Sequence, residues 1–259
     1  MRTSIVVRVA TAIALMATIL SGGCAKKVGG PAVRVESRVE GNLIEHTVQP
    51  GEDLAVIADD YYGDPGRAAD IAAFNGLDPQ ASPAPGSVLK LRFDPDQWDQ
   101  ARRRAQALVP YNEGVDLLAD DRLGEAQSRF RQALEIAPGL HSARYNLALV
   151  LLKRGKAEEA LEHLDTLVAA RPEAEDFAFA RGNALFQTMR FQEAAAQFKA
   201  LLDRDPANKR AAFGYARSLQ EAGEVARAVA AWEAYLKLDP DSGWAESARR
   251  NLELLRHGS

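Results

Sequence analysis

Residues 111–138, "YNEGVDLLADDRLGEAQSRFRQALEIAP", reappear in outline 34 positions later as residues 145–172, "YNLALVLLKRGKAEEALEHLDTLVAARP". The spacing then persists. Pro138, Pro172, Pro206 and Pro240 are each 34 residues apart, and so are Ala126, Ala160, Ala194 and Ala228. Four residues after each alanine stands a bulky apolar side chain, Phe130, Leu164, Phe198 and Trp232, one helical turn along the same face. Earlier in each unit come Gly114, Ala148, Gly182 and Ala216, small positions where two helices can approach closely, followed three residues later by Leu117, Leu151, Leu185 and Leu219. Such a period marks a repeat architecture in which each unit buries its apolar face only against its neighbours.

These residues resemble the tetratricopeptide repeat, whose 34-residue unit is a pair of antiparallel helices. Four gapless copies are expected at 107–140, 141–174, 175–208 and 209–242. "DQWDQARRRAQAL" (96–108) reads as a helix leading in, with a linking segment over 95–106. "SGWAESARRNLELLRH" (242–257) reads as a capping helix within a tail of 243–259, with Trp244, Ala248, Leu252 and Leu255 covering the last repeat. The resemblance implies a concave surface lined by the first helix of each repeat. Its candidate partner-binding residues are Tyr111, Tyr145, Phe179, Asn183, Phe186, Phe213 and Arg217, with Val115, Leu149, Leu118, Leu152 and Gln220 at equivalent positions. That surface runs from apolar in the first two repeats to polar in the last, and suits an extended peptide or a helix with one apolar and one polar end. The alternative for Tyr111, Tyr145, Phe179 and Phe213 is that they are family consensus and pack between helices. Chaperone-binding members grip a carboxylate with lysine, asparagine and arginine, a pattern that Tyr, Val and Leu do not match in the first two repeats.

Ahead of the repeats, Leu43, Ile44, His46 and Val48 suggest a short strand ended by Pro50-Gly51. Leu54, Ile57, Ala58 and Tyr61 recur at helical spacing, with Glu52 and Asp53 where carboxylates favour a helix start. Gly63-Asp64-Pro65-Gly66 breaks that helix, and a second carries Ala69, Ile71, Ala72 and Phe74 before Asn75-Gly76 stops it. Pro85-Gly86 then turns the chain into the strand "SVLKLRF". Through "HTVQPGEDL", "IADDYYGDP", "FNGL" and "PGSVLKL", residues 43–94 resemble the LysM domain, a small βααβ module that binds N-acetylglucosamine-containing glycans such as peptidoglycan. The resemblance implies a shallow glycan groove with Gly51, Glu52, Asp53 and Leu54 on one wall and Leu77 and Asp78 on the other. Structural readings stand beside these: Gly51 makes the turn, Asp53 caps the helix and Leu77 plugs the small core. The fold expected for the whole chain is therefore mainly α, the βααβ module preceding an α-solenoid of four helix pairs with a capping helix.

Cys24 is the only cysteine. It follows the apolar run "VATAIALMATIL" (9–20) and Ser21-Gly22-Gly23, with Arg2 and Arg8 the only earlier charges. The run is too short for a spanning helix but suits a secretory signal peptide over 1–23. With the small residues before the thiol it resembles the lipobox of bacterial lipoproteins, which implies a lipid anchor on Cys24. Ala25 after the cysteine implies sorting to the periplasmic face of the outer membrane. Residues 24–42, charged and broken by Gly-Gly-Pro, read as a flexible spacer.

Beyond the signal, 30 Lys plus Arg face 36 Asp plus Glu, which argues against a nucleic-acid partner. His46, His141, His163 and His257 are scattered and no metal-ligand spacing, phosphate loop or nucleophile pair appears, so no enzyme activity, cofactor or metal is expected. The expected function is a non-catalytic envelope lipoprotein that binds peptidoglycan through the module and recruits an envelope protein or peptide on its repeats. The rival expectation is an assembly or export cofactor whose module has no glycan role.

Overall fold

The structure is a computed structural model that describes residues 34–38, 41–48, 52–78, 80 and 82–257. The signal segment, Cys24 and the start of the spacer lie outside the described residues. Between Val150 and Leu151 the chain divides into two compact units.

The first unit opens with a three-stranded antiparallel sheet, ordered β1 (Arg34–Arg38), β2 (Gly41–Thr47), β3 (Val88–Phe93). Arg34 pairs with Glu45 across β1 and β2, and Ile44 with Leu91 and His46 with Leu89 across β2 and β3. Strand β1 corrects the reading of 24–42 as a spacer throughout. Val33 and Val35 alternate with charged residues, a period-two pattern too short to stand out until β2 pairs with it. Along β3, Leu89, Leu91 and Phe93 point inward while Val88, Lys90 and Arg92 are exposed.

Between β2 and β3 lie α1 (Leu54–Tyr62), a 3-10 turn (Pro65–Arg67) and α2 (Ala68–Asn75). Asp53 caps α1, its Oδ1 accepting from the Val56 amide at 2.8 Å. Gly63 ends α1 at φ +71°, donating its amide to the Asp59 carbonyl at 2.7 Å. Asn75 both closes α2 and extends the sheet. Its Nδ2 donates to the carbonyls of Ile71 (2.8 Å) and Lys90 (2.9 Å), and its Oδ1 accepts from the Lys90 amide at 2.7 Å. Ile44, Val48, Ile57, Ala58, Ile71, Leu89 and Leu91 form the buried centre.

Helix α3 (Trp98–Ala119) brings a second correction: the linking helix and the first helix of the first repeat are one continuous helix, with Pro110 inside it. Proline removes one backbone bond and bends a helix without ending it when packing holds both sides. Pro110 is buried, as are Ala107, Leu108 and Tyr111 beside it. Helix α4 (Leu123–Ile136) packs back on α3, and α5 (His141–Lys153) follows. A Cβ at Gly114 would lie 2.7 Å from the Phe130 ring, so the small residue expected there is what lets α3 and α4 close.

Within this unit the βααβ module sits against α3 and α5 through polar side chains. Asp60 Oδ1 accepts from Ser142 Oγ at 2.6 Å, and Arg104 Nη1 donates to the Asp59 carbonyl at 3.1 Å. His141 Nδ1 lies 3.5 Å from Asp59 Oδ1. The Arg104 guanidinium fills the space beside Gly63, where a Cβ would fall 2.5 Å from Nη2. A cation there also opposes the negative end of α1.

The second unit is a succession of antiparallel helices: α6 (Ala157–Ala170), α7 (Glu175–Gln187), α8 (Phe191–Arg204), α9 (Lys209–Glu221), α10 (Val225–Leu238) and α11 (Gly243–His257). Each packs on the next. The repeating small residue again meets an aromatic, since a Cβ at Gly182 would lie 2.7 Å from Phe198. Trp232 is fully buried, its ring edge-on to Phe213 at 4.9 Å. Helix α11 closes the end, with Trp244 edge-on to Phe213 at 4.8 Å and Ala245, Ala248 and Leu252 buried.

Candidate functional site

The expected glycan residues of the module divide by exposure. Asp53 and Asp78 face solvent and Leu77 is half-buried. Gly51 lies outside the described residues. Asp53 is engaged as the α1 cap, and Asp78 Oδ1 accepts from the Gln80 amide at 2.8 Å, stiffening the turn after α2. The Leu77 amide returns to the Ala72 carbonyl at 2.9 Å, so the chain leaves α2 in a fixed direction. Glu52 and Leu54 are each 4% exposed. They form the inner support of this loop.

Glu52 is held by a chain of polar contacts. His46 Nε2 lies 2.8 Å from Glu52 Oε2, and its Nδ1 is 3.3 Å from the Tyr61 hydroxyl. The end of β2 is pinned to the entry of β3 by Val48 N–H to Ser87 O (2.9 Å) and Gly86 N–H to Val48 O (2.8 Å). Both loops of the expected groove are thus fastened to the same sheet. Elsewhere on the module a cleft of about 400 Å³ is lined by Phe74, Lys90, Arg92 and Tyr62, with Arg92 5.9 Å over the Phe74 ring. Burial pushes the Tyr62 phenol up to about 12.

The expected partner residues also divide. In the first unit Tyr111 is buried against Phe130 with ring centroids 5.8 Å apart, and its hydroxyl accepts from Asn146 Nδ2 at 2.9 Å. Tyr145 is half-buried. In the second unit Phe179 packs on Phe198 at 5.5 Å and Phe213 on Trp232, the inter-helix packing offered as the alternative for these aromatics. Asn183, Phe186 and Arg217 form a different group. The Arg217 guanidinium lies 4.9 Å over the Phe186 ring. Phe186 stands three residues after Asn183 on α7, one turn along the same face. Asn183 is 1% exposed and Arg217 6%. Yet Asn183 Nδ2 and Oδ1 and Arg217 Nη1 are buried with no hydrogen-bond partner among the described residues. Burial lowers the Arg217 pKa, with Glu221 acting against that shift.

Sequence reasoning missed three of these features: the Asn75 clasp on β3, the His46–Glu52 pair and the Asp60–Ser142 contact. The first had a signal in "FNGL". The last joins residues 82 apart and had none.

The LysM domain model matches residues 46–92, and tetratricopeptide repeat models match 117–182 and 179–243. A curated relative, DnaJ homolog subfamily C member 3 of Mus musculus, is 31% identical over 96 residues, covering 37% of this chain and 19% of its own length. The chain therefore spans about a fifth of that relative. Among solved structures, YrrB, described as a TPR protein with an unusual peptide-binding site, is 21% identical with a TM-score of 0.53, covering 60% of this chain and 83% of its own. MamA from Desulfovibrio magneticus RS-1 is 15% identical with a TM-score of 0.51, over 58% of this chain and 93% of its own. A tetratricopeptide repeat protein from Parabacteroides merdae is 16% identical with a TM-score of 0.52, over 59% and 60%. These structural likenesses establish the repeat fold.

Proposed function

We propose that this chain, a LysM domain followed by tetratricopeptide repeats, is a non-catalytic adaptor of the bacterial envelope. It is anchored by lipid at Cys24, binds peptidoglycan through the module and holds a protein partner on the repeats. LysM domains and tetratricopeptide repeats are binding modules, which supports glycan and protein contacts in general terms. The apolar run that precedes Cys24 supports the anchor. On the glycan side, the exposure of Asp53 and Asp78 and the half-burial of Leu77, over buried Glu52 and Leu54, support a sugar-contacting role for the first three.

The observation that carries the partner half is the buried, unmatched polar group on the second unit. A buried amide or guanidinium without a hydrogen bond costs roughly 1–3 kcal/mol. An extended peptide offers carbonyls to Arg217 Nη1 and Asn183 Nδ2 and an N–H to Asn183 Oδ1, while Phe186 supplies an apolar floor.

The test is co-sedimentation of residues 25–259 with purified sacculi, in the presence and absence of soluble N-acetylglucosamine oligomers. Pelleting that the oligomers reverse is the expected result. Protein that stays in solution overturns the glycan half and leaves the module as a spacer in an assembly or export cofactor.

A further inference from the structure

We infer that the contact of the LysM module with α3 and α5 is a proton-dependent latch, closed while Asp60 holds a proton and loosened when its carboxylate ionises. Asp60 is 2% exposed, and its two oxygens have unequal surroundings. Oδ1 accepts from Ser142 Oγ across the contact, whereas Oδ2 is buried with no hydrogen-bond partner among the described residues. A carboxylate in that position leaves charge on an unsolvated oxygen. The neutral acid carries no such charge and keeps the Ser142 bond.

The groups around Asp60 come from every element packed there. Asp59 and Tyr61 share its helix, and Glu52 precedes that helix. His46 on β2 acts through its bond to Glu52. Helix α3 contributes Arg104 and Tyr111, and α5 contributes Ser142 and His141. Burial is the strongest influence and favours the neutral acid, the Ser142 bond favours the anion, Glu52 favours the neutral acid and Arg104 favours the anion. The balance raises Asp60 from 3.8 to about 7.

The direction of the pH effect follows. An exposed Asp60 ionises near 3.8, while the closed contact retains the proton to about 7. Stability is therefore fully present at low pH, is lost as pH rises through the interval between those values, and stays at the lower level above about 7. His141 works in the opposite sense, since burial lowers its pKa from 6.5 and its charging on acidification favours opening. Comparison with a variant that lacks only the Asp60 carboxylate removes that contribution.

Hydrogen exchange of the full chain, corrected for intrinsic rates, reads the latch in peptides covering α1 and the first half of α3. The expected result is that the wild-type to Asp60→Asn ratio of opening rises about tenfold between pH 6 and pH 8. A ratio that does not change overturns the proposal. Ser142→Ala provides a second reading should Asp60→Asn fail to fold. Loss of a bond that favours the anion moves the wild-type transition to higher pH, and an unmoved transition overturns the latch.

Discussion

The two units bury polar groups in different ways. In the first, His46 is bonded to Glu52, Ser142 to Asp60, Arg104 to the Asp59 carbonyl and Asn146 to Tyr111, and the unmatched Asp60 Oδ2 belongs to a carboxyl whose other oxygen is bonded. In the second, the interior is built of alanine, leucine and aromatic side chains, and Asn183 and Arg217 keep polar atoms that meet no described partner. Polar burial matched within the chain builds a joint. A side chain left wholly unmatched, as Asn183 is, is what the partner proposed for the repeats would complete.

Three substitutions bear on that contrast. The largest expected effect is that of Phe198→Ala, which empties a fully buried position against Phe179, Gly182 and Gly214 and should cost about 3–5 kcal/mol in urea unfolding. A much smaller loss would break the view that ring packing holds the second unit. Asn183→Leu should act in the other direction. The equivalent position in the second repeat is Leu149, so the fold accepts leucine there. Removing two unpartnered atoms should leave stability unchanged or raise it by about 1–3 kcal/mol, while capture of a partner peptide is lost. A clear destabilisation would show that Asn183 supports the fold. The smallest effect is expected for Asp53→Ala, which removes the α1 cap at a cost of about 1 kcal/mol in thermal unfolding. If sacculus binding by folded protein also falls, Asp53 contacts sugar as well as capping the helix.

The contrast also explains what was legible in the sequence. Repeats advertise themselves through periodicity, so Gly114, Gly182 and their aromatic neighbours were placed in the right relation from spacing alone. The capping role of Trp244 and Leu252 was readable from the apolar residues of the segment that follows the last repeat. The turn residues of the module, Asp53, Gly63 and Asn75-Gly76, were readable because backbone geometry restricts which residues stand there. Strand β1 was not, because its pattern is brief and its partner strand defines it. Nor was the continuity of α3 through Pro110, where tertiary packing overrides the usual reading of proline as a boundary. The expected partner residues rest on repeat position, which cannot separate Phe179 and Phe213, which pack between helices, from Asn183 and Arg217, whose buried polar atoms meet no described partner.

Helix α3 has a mechanical meaning. At ~1.5 Å per residue its 22 residues form a rod of roughly 33 Å, with its start beside the module and its end inside the first repeat. A Gly/Ser-rich tether would let the module search a volume and absorb slack before any pull reached the repeat. A rod allows neither. Load applied at the module passes along α3 into the packing around Tyr111 and Phe130, so displacement of the module becomes torque on the first helix pair.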